Sequence, residues 1–98
     1  MSRIELLPEV LEDFERIIQH LALYDVEDAA ARVAEITAAI DVLGRNPQIG
    51  RPAEGDRREL VIGSGSRGYI ALYRYVPELD AVFVVAICGQ KEGGYRRG

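Results

Sequence analysis

Two β-type runs late in the chain are joined by only four residues, and this spacing most constrains the fold. Residues 69–76 are rich in β-forming side chains, and residues 81–87 are apolar throughout. The sequence between them, Pro77-Glu78-Leu79-Asp80, is typical of a tight turn. The two runs therefore predict neighbouring antiparallel strands. Because the second run is apolar on both faces, we expect it to be central in a sheet.

Two amphipathic helices are predicted upstream of these strands. The first begins near Pro8 and ends around residues 23–25, and the second ends at Gly44. The few residues between them favour an antiparallel hairpin, which can bury its apolar stripes only against a sheet. The first stripe contains Val10, Leu11, Phe14, Ile17, Ile18 and Leu21, and the second contains Val26, Ala29, Ala30, Val33, Ile36, Thr37, Ile40 and Leu43.

A short strand on each side of the helices completes the predicted sheet. Residues 3–7 alternate weakly before Pro8, and residues 59–63 form a short apolar run after a polar loop. The predicted order is β-α-α-β-β-β, an α+β fold in which an antiparallel-dominated sheet of about four strands packs on the two-helix hairpin. The 98 residues fit one domain. Residues 88–98 are expected to form a flexible C-terminal tail.

The alternation within residues 69–76 predicts which of its side chains share a face of the sheet. Period 2 places Tyr69, Tyr73 and Tyr75 on one face and Ile70 and Arg74 on the other. If the helices cover the tyrosines, Arg74 points to the opposite side.

Composition excludes several classes of protein. No apolar stretch approaches the roughly 20 residues needed to cross a bilayer, so no membrane partner is expected. The first residues lack the apolar run of a secretory signal, which predicts the cytoplasm. One cysteine, Cys88, cannot form an internal disulfide, and with a single histidine, His20, it cannot supply a structural zinc site. We expect neither metal nor cofactor.

Some chemically suggestive residues have simpler interpretations. Residues 63–68 satisfy G-x-G-x-x-G, but a strand follows where a dinucleotide site needs a helix, so a hairpin loop is predicted. His20 and the paired acids Glu12 and Asp13 are expected on the solvated surface of the first helix.

Charge is divided unequally along the chain. Residues 1–44 hold 10 acidic and 3 basic side chains, a net −7, whereas residues 45–98 hold 6 acidic and 9 basic, a net +3. The total of −4 makes the protein a poor nucleic-acid binder by itself, because affinity for phosphate comes mainly from summed positive charge. The basic second half is the expected binding half.

Several segments, in this order and spacing, resemble the RelE/ParE toxin superfamily over almost the whole chain. The helical hairpin opens near Pro8. The remaining segments are Asn46-Pro47-Gln48-Ile49-Gly50-Arg51, Arg58-Glu59-Leu60, Gly68-Tyr69-Ile70-Ala71-Leu72-Tyr73-Arg74-Tyr75, Val82-Phe83-Val84-Val85-Ala86-Ile87 and Gln90-Lys91-Glu92-Gly93-Gly94-Tyr95.

This resemblance implies a toxin of a bacterial toxin–antitoxin pair that is neutralised by a cognate antitoxin. RelE-like members enter the ribosome and cut mRNA without metal, using basic residues and a tyrosine. ParE-like members instead poison DNA gyrase by binding it. Lys91 and Tyr95 match the basic residue after the last strand and the C-terminal tyrosine that RelE-like enzymes use.

One departure from the RelE-like pattern favours, together with the acidic net charge, a gyrase-binding toxin, and a second concerns toxicity itself. Ile70 stands where those enzymes place an arginine, and Arg67 or Arg74 would have to compensate. Cys88-Gly89 stands where many relatives carry Arg-His, which keeps open a third interpretation, a non-toxic protein that only binds an antitoxin. The predicted contacts with antitoxin or target are the outer side of the helical hairpin and a basic rim. The rim lies around Arg58, Arg74 and Lys91, and the other residues expected to bind antitoxin or target are Arg67, Tyr95, Arg96 and Arg97.

Overall fold

A computed structural model describes residues 1–23, 26–63 and 68–90. Two helices and five strands form one α+β unit. The strands are β1 (Arg3–Leu6), β2 (Arg51–Pro52), β3 (Arg57–Ile62), β4 (Tyr69–Val76) and β5 (Ala81–Gly89), and the helices are α1 (Pro8–Ala22) and α2 (Val26–Val42).

The sheet has the strand order β1-β5-β4-β3-β2. All neighbours are antiparallel except β1 and β5, which run parallel. The predicted fold class is confirmed, with β5 internal to the sheet. The strand count was wrong by one, because β2 contains only Arg51 and Pro52 inside the predicted loop. Proline lacks the N–H of a central strand, and the sequence offers no other signal for β2.

One face of the sheet packs against both helices. The buried core joins Val10 and Ile17 of α1 to Ile36 and Ile40 of α2 and to Tyr73, which is fully buried on β4. The helices therefore cover the tyrosine face, which is the condition under which the alternation places Arg74 on the opposite side. We call the opposite side of the sheet the far face.

The predicted helix stripes are broader than the buried stripes. Leu11 and Ile18 of α1 are 59% and 40% exposed, and Val26 at the start of α2 is 71% exposed. Ala30 and Thr37 are exposed as well. These residues flank the core-facing positions and are left uncovered by the described sheet.

A β-bulge in β5 shifts its register partway along. Leu72 pairs with Ala86, whereas the next residue of β4, Tyr73, pairs with Val84, so Val85 is the extra residue. Because of this insertion, Val84 and Ile87 both face the helices although they are three residues apart. The bulge also aims the backbone of Ile87 at α1.

Two side chains of α1 occupy the edge of β5 beyond the end of β1. The last contact with the β1 segment is the Leu7 N–H donating to the Val84 carbonyl at 3.1 Å. Further along, the Ile87 N–H donates to Asp13 Oδ2 at 3.0 Å, and Arg16 Nη2 donates to the Ile87 carbonyl at 3.1 Å. Arg16 Nη1 also donates to Asp13 Oδ1 at 2.9 Å. Asp13 and Arg16 thus bond the Ile87 backbone in the place that a neighbouring strand would take.

The prediction that Asp13 lies on a solvated helix surface was wrong. Its side chain is only 4% exposed, because α1 packs over β5 and turns this carboxylate toward the strand edge. Its neighbour Glu12 is exposed as predicted, and so is His20.

The last described strand extends into the segment that the sequence assigned to a flexible tail. Cys88 and Gly89, assigned by the sequence to the tail, belong to β5, and Cys88 is buried. Residues 91–98 lie outside the described part of the chain. Neither described helix is long and apolar enough to cross a membrane.

Candidate functional site

The far face is apolar at the end where β4 begins. Strand register aligns Val61 of β3, Ile70 of β4 and Cys88 of β5 in one row across the sheet. Val61 is exposed, Ile70 is half-buried and Cys88 is buried. No charged side chain stands in this row.

Two of the far-face cations lie at the other end of β4. Arg57 of β3, Arg74 of β4 and Phe83 of β5 align in a second row, here called the arginine row. The arginine row continues to Glu5 of β1, which pairs with Phe83. Arg74 is four residues from Ile70, about 13 Å at the rise of a strand, so Arg74 does not replace a cation at Ile70.

Arg58 lies on the side of the sheet that faces the helices. Its register partner is Tyr73, and its Nη1 donates to the Gln48 and Gly50 carbonyls at 3.2 and 2.7 Å. The predicted grouping of Arg58 with Arg74 on one rim was therefore wrong. The two arginines occupy opposite faces, because Arg57 and Arg58 both belong to β3 and alternate.

Tyr73 holds the same loop from inside the core. Its phenolic oxygen accepts a hydrogen bond from the Gly50 N–H at 2.8 Å. Burial raises the pKa of the Tyr73 hydroxyl, opposed by the Gly50 hydrogen bond and by the charge of Arg58. The phenol is thus a neutral structural group and has no access to solvent.

The other predicted site residues lie outside the described residues. These are Arg67, Lys91, Tyr95, Arg96 and Arg97. Their roles in catalysis or in binding remain predictions. Within the described ranges, no cluster of three or more metal-binding side chains occurs.

Sequence reasoning missed Arg57 and Phe83. Arg57 was assigned to the end of the polar loop, and Phe83 was treated only as part of an apolar strand. The alternation of Arg57 with Arg58 was the available signal, but it becomes informative only once β3 is known to begin at Arg57.

The helical hairpin exposes apolar side chains away from the sheet. Leu11 and Ile18 are one heptad apart and so lie on the same side of α1. Leu23 and Val26, at the tip of the hairpin, are 80% and 71% exposed. Such residues on a soluble protein indicate a contact surface when they are contiguous.

Asp80 ties the start of β1 to the turn before β5. The residue has a left-handed conformation, φ 47°, and its Oδ1 accepts hydrogen bonds from Ser2 Oγ at 2.6 Å and Tyr75 Oη at 3.3 Å. The Arg3 N–H donates to the Asp80 carbonyl at 2.9 Å. The Ser2 hydrogen bond, more than any other cause, lowers the pKa of the Asp80 carboxyl below its ordinary value of 3.8.

This shift gives a pH-dependent contribution to stability. Since the folded-state pKa is depressed, the contribution is present above the unfolded value and is lost as pH falls through the folded value. We expect Asp80→Asn, which tolerates the left-handed conformation, to be less stable than the parent at pH 7 and to approach it below pH 3.8. Urea unfolding across that range measures the difference, with Glu78→Gln as the matched loss of an exposed carboxylate. A difference that grows as pH falls would contradict the assignment.

Comparison with known proteins identifies the family. The sequence model of the ParE toxin of type II toxin–antitoxin systems, parDE, matches residues 4–93. The chain belongs to the ParE toxin family. No curated protein sequence is significantly similar to it.

Solved structures similar to this ParE-family chain include toxins of both branches of the superfamily. The chromosomal ParDE system of P. aeruginosa has a chain with a TM-score of 0.75 and 22% identity, covering 91% of this chain and 96% of that one. The intact E. coli RelBE toxin–antitoxin complex gives 0.63 and 14%, covering 91% and 96%. The isolated E. coli RelE toxin gives 0.61 and 14%, covering 91% and 84%. At these identities the structural likeness establishes the shared fold alone.

Proposed function

We propose that this ParE-family toxin is neutralised by a cognate antitoxin and acts by binding and poisoning DNA gyrase, without cutting mRNA. Family membership supports the toxin–antitoxin assignment. The choice of gyrase depends mainly on one observation, the apolar row of Val61, Ile70 and Cys88.

An mRNA-cutting toxin needs a cation in the place that this apolar row occupies. In RelE-like enzymes, by resemblance, the position of Ile70 is an arginine that stabilises charge on the scissile phosphate. A single such donor lowers the activation barrier by about 3 to 4 kcal/mol in comparable sites. Here both neighbours of Ile70 across the sheet are uncharged, so the described strands provide no substitute cation beside it.

The overall charge supports the same choice. A ribosome-dependent nuclease must approach polyanionic RNA, and this favours a basic surface. The protein carries a net charge of −4, and its first half carries ten acidic side chains. Binding to a protein target such as gyrase makes no comparable demand.

The exposed apolar side of the helical hairpin fits the antitoxin. An amphipathic helix recognises a partner through apolar anchors one or two turns apart. Leu11 and Ile18 present such anchors on α1, while Leu23 and Val26 extend the surface to the hairpin tip. We therefore assign this side to the antitoxin.

Two assays with the purified protein test the proposed target. Added to DNA gyrase and relaxed plasmid, the protein is expected to inhibit supercoiling. Added to a translating extract, it should leave the mRNA intact. Pre-incubation with the product of an adjacent antitoxin reading frame should abolish the gyrase effect.

Each opposite result identifies another function. Cleaved mRNA, slowed in Tyr95→Phe and Lys91→Gln, would establish the RelE-like nuclease instead. No effect in either assay, together with tight antitoxin binding, would leave a non-toxic antitoxin-binding protein.

A further inference from the structure

The outer edge of β1 is open for strand pairing. The N–H groups of Arg3 and Leu7 donate to carbonyls of β5 and of the residue just before it. Because backbone groups alternate in direction along a strand, the N–H and C=O groups of Ile4 and Leu6 point away from β5. No hydrogen bond between described residues reaches these groups. An edge of this kind is a template on which another strand can pair.

The two helices limit the open edge at both ends. The Ser2 N–H donates to the Gly44 carbonyl at 2.7 Å, so the backbone that follows α2 occupies the edge beside Ser2. At the other end, α1 begins at Pro8. An added strand can therefore lie only along the stretch from Arg3 to Leu7.

A second copy of the chain fits this stretch in one antiparallel register. A two-fold axis at Glu5 places Ile4 of each copy opposite Leu6 of the other, and every open backbone group then finds a partner. An axis at Ile4 would bring Leu6 of one copy against Ser2 of the other, where the end of α2 already lies. An axis at Leu6 would bring the strand of one copy against the start of α1 in the other.

Side chains on the two faces of the sheet have opposite effects on this register. On the helix side, the half-buried Ile4 would meet Leu6, which is 42% exposed, in an apolar contact. On the far face, Glu5 would meet Glu5 of the other copy with Cα atoms about 4.5 Å apart. Like charges placed directly opposite in this way destabilise a sheet.

Arg3 compensates this repulsion only in part. It forms an ion pair with Glu5 of its own strand at 2.8 Å, and both side chains are about half exposed, so the pair is weak. Arg3 would lie diagonally from Glu5 of the other copy, about 7–8 Å away between Cα atoms. The two carboxylates would be closer to each other than either is to the other copy's arginine.

From these contacts we infer that the β1 edge is a pairing surface for a second copy of this chain, and that the charge of Glu5 holds this pairing back. The arrangement is isologous, so it closes at two copies. Charged side chains commonly protect exposed edge strands from sheet-to-sheet association, and Glu5 has that role here. The inference does not depend on the proposed target of the toxin.

Sedimentation equilibrium of the full-length protein at increasing concentration tests the inference. We expect Glu5→Gln to dimerise at least about tenfold more tightly than the parent, because the like charges at the axis are removed. Glu12→Gln removes an exposed carboxylate of α1, so it repeats the change in net charge and should behave as the parent. Dimerisation of Glu5→Gln no tighter than that of the parent or of Glu12→Gln would overturn the inference.

Cysteine cross-linking tests the register. Two Glu5→Cys chains would have their Cα atoms about 4.5 Å apart, within the range of a disulfide. Two Arg3→Cys chains would be offset by about 14 Å along the strands, out of reach. Mild oxidation should therefore link Glu5→Cys at least about tenfold faster than Arg3→Cys, and the buried Cys88 should leave the parent unlinked. Equal rates for the two variants would reject the register.

Proline at the edge separates strand pairing from any other mode of dimerisation. The Leu6 N–H points away from β5, so Leu6→Pro removes a donor to the second copy and none to β5. Added to Glu5→Gln, it should return the protein to a monomer, with circular dichroism as the check on folding. A dimer of Glu5→Gln that survives Leu6→Pro would place the contact elsewhere and overturn the inference.

Discussion

Asp13→Ala is expected to lower the free energy of unfolding by about 3 kcal/mol. Removing one member of a buried pair costs about 3–5 kcal/mol, because the remaining charge loses its partner. Arg16 is 24% exposed, so water moderates the loss and the lower end of that range applies. The Ile87 N–H also loses its acceptor, at an edge where none of the described strands replaces it.

Urea unfolding measures this loss, and Glu12→Ala is the matched control. Glu12 is the adjacent carboxylate on α1 but is exposed, so its removal should change stability by no more than about 0.5 kcal/mol. Asp13→Asn should fall between the two, because an amide oxygen can still accept from Ile87 while the charge opposite Arg16 is lost. A double-mutant cycle with Arg16→Ala isolates the coupling. Equal midpoints for Asp13→Ala and Glu12→Ala would show that the pair does not stabilise the β5 edge.

The role of Asp13 shows where prediction from sequence ends. Glu12 and Asp13 are consecutive acids on one amphipathic helix. Glu12 lies opposite the apolar stripe and Asp13 at its border, but a border position alone does not predict burial. Asp13 is buried because α1 lies over β5 and the bulge at Val85 brings Ile87 opposite its carboxylate. The placement of α1 is a long-range feature, fixed by packing between segments more than 70 residues apart. The bulge is an irregularity of the β4–β5 hairpin that the sequence does not mark.

Local signals did predict the parts of the fold that depend on neighbours in sequence. The short turn after Val76 predicted the β4–β5 hairpin, and the alternation predicted that Tyr69 and Tyr73 share one face and Arg74 lies on the other; the structure confirms both. Which of the two faces the helices cover was left open by the alternation. Arg58 was misplaced because the predicted strand began at residue 59, which left Arg58 without an assigned face.

Gly50→Ala is expected to cost about 2–4 kcal/mol. A Cβ at Gly50 would lie 2.7 Å from Cε1 and Oη of Tyr73 and 2.8 Å from the Glu59 carbonyl oxygen. Tyr73 is fully buried and Glu59 contributes backbone, so neither gives way easily. Overpacking costs about 1–3 kcal/mol, and a displaced loop also loses the hydrogen bond from the Gly50 N–H to the phenol.

Gly55→Ala separates this steric cost from the conformational freedom of glycine. Gly55 has a φ of 71° but open space around its Cα, so alanine there should cost only about 1–2 kcal/mol of left-handed strain. Tyr73→Phe, which keeps the ring and removes the acceptor, should cost about 1–3 kcal/mol. Chemical unfolding should therefore rank Gly50→Ala as the most destabilising of the three. If Gly55→Ala costs as much as Gly50→Ala, close packing of Tyr73 against the loop is not what requires glycine at residue 50.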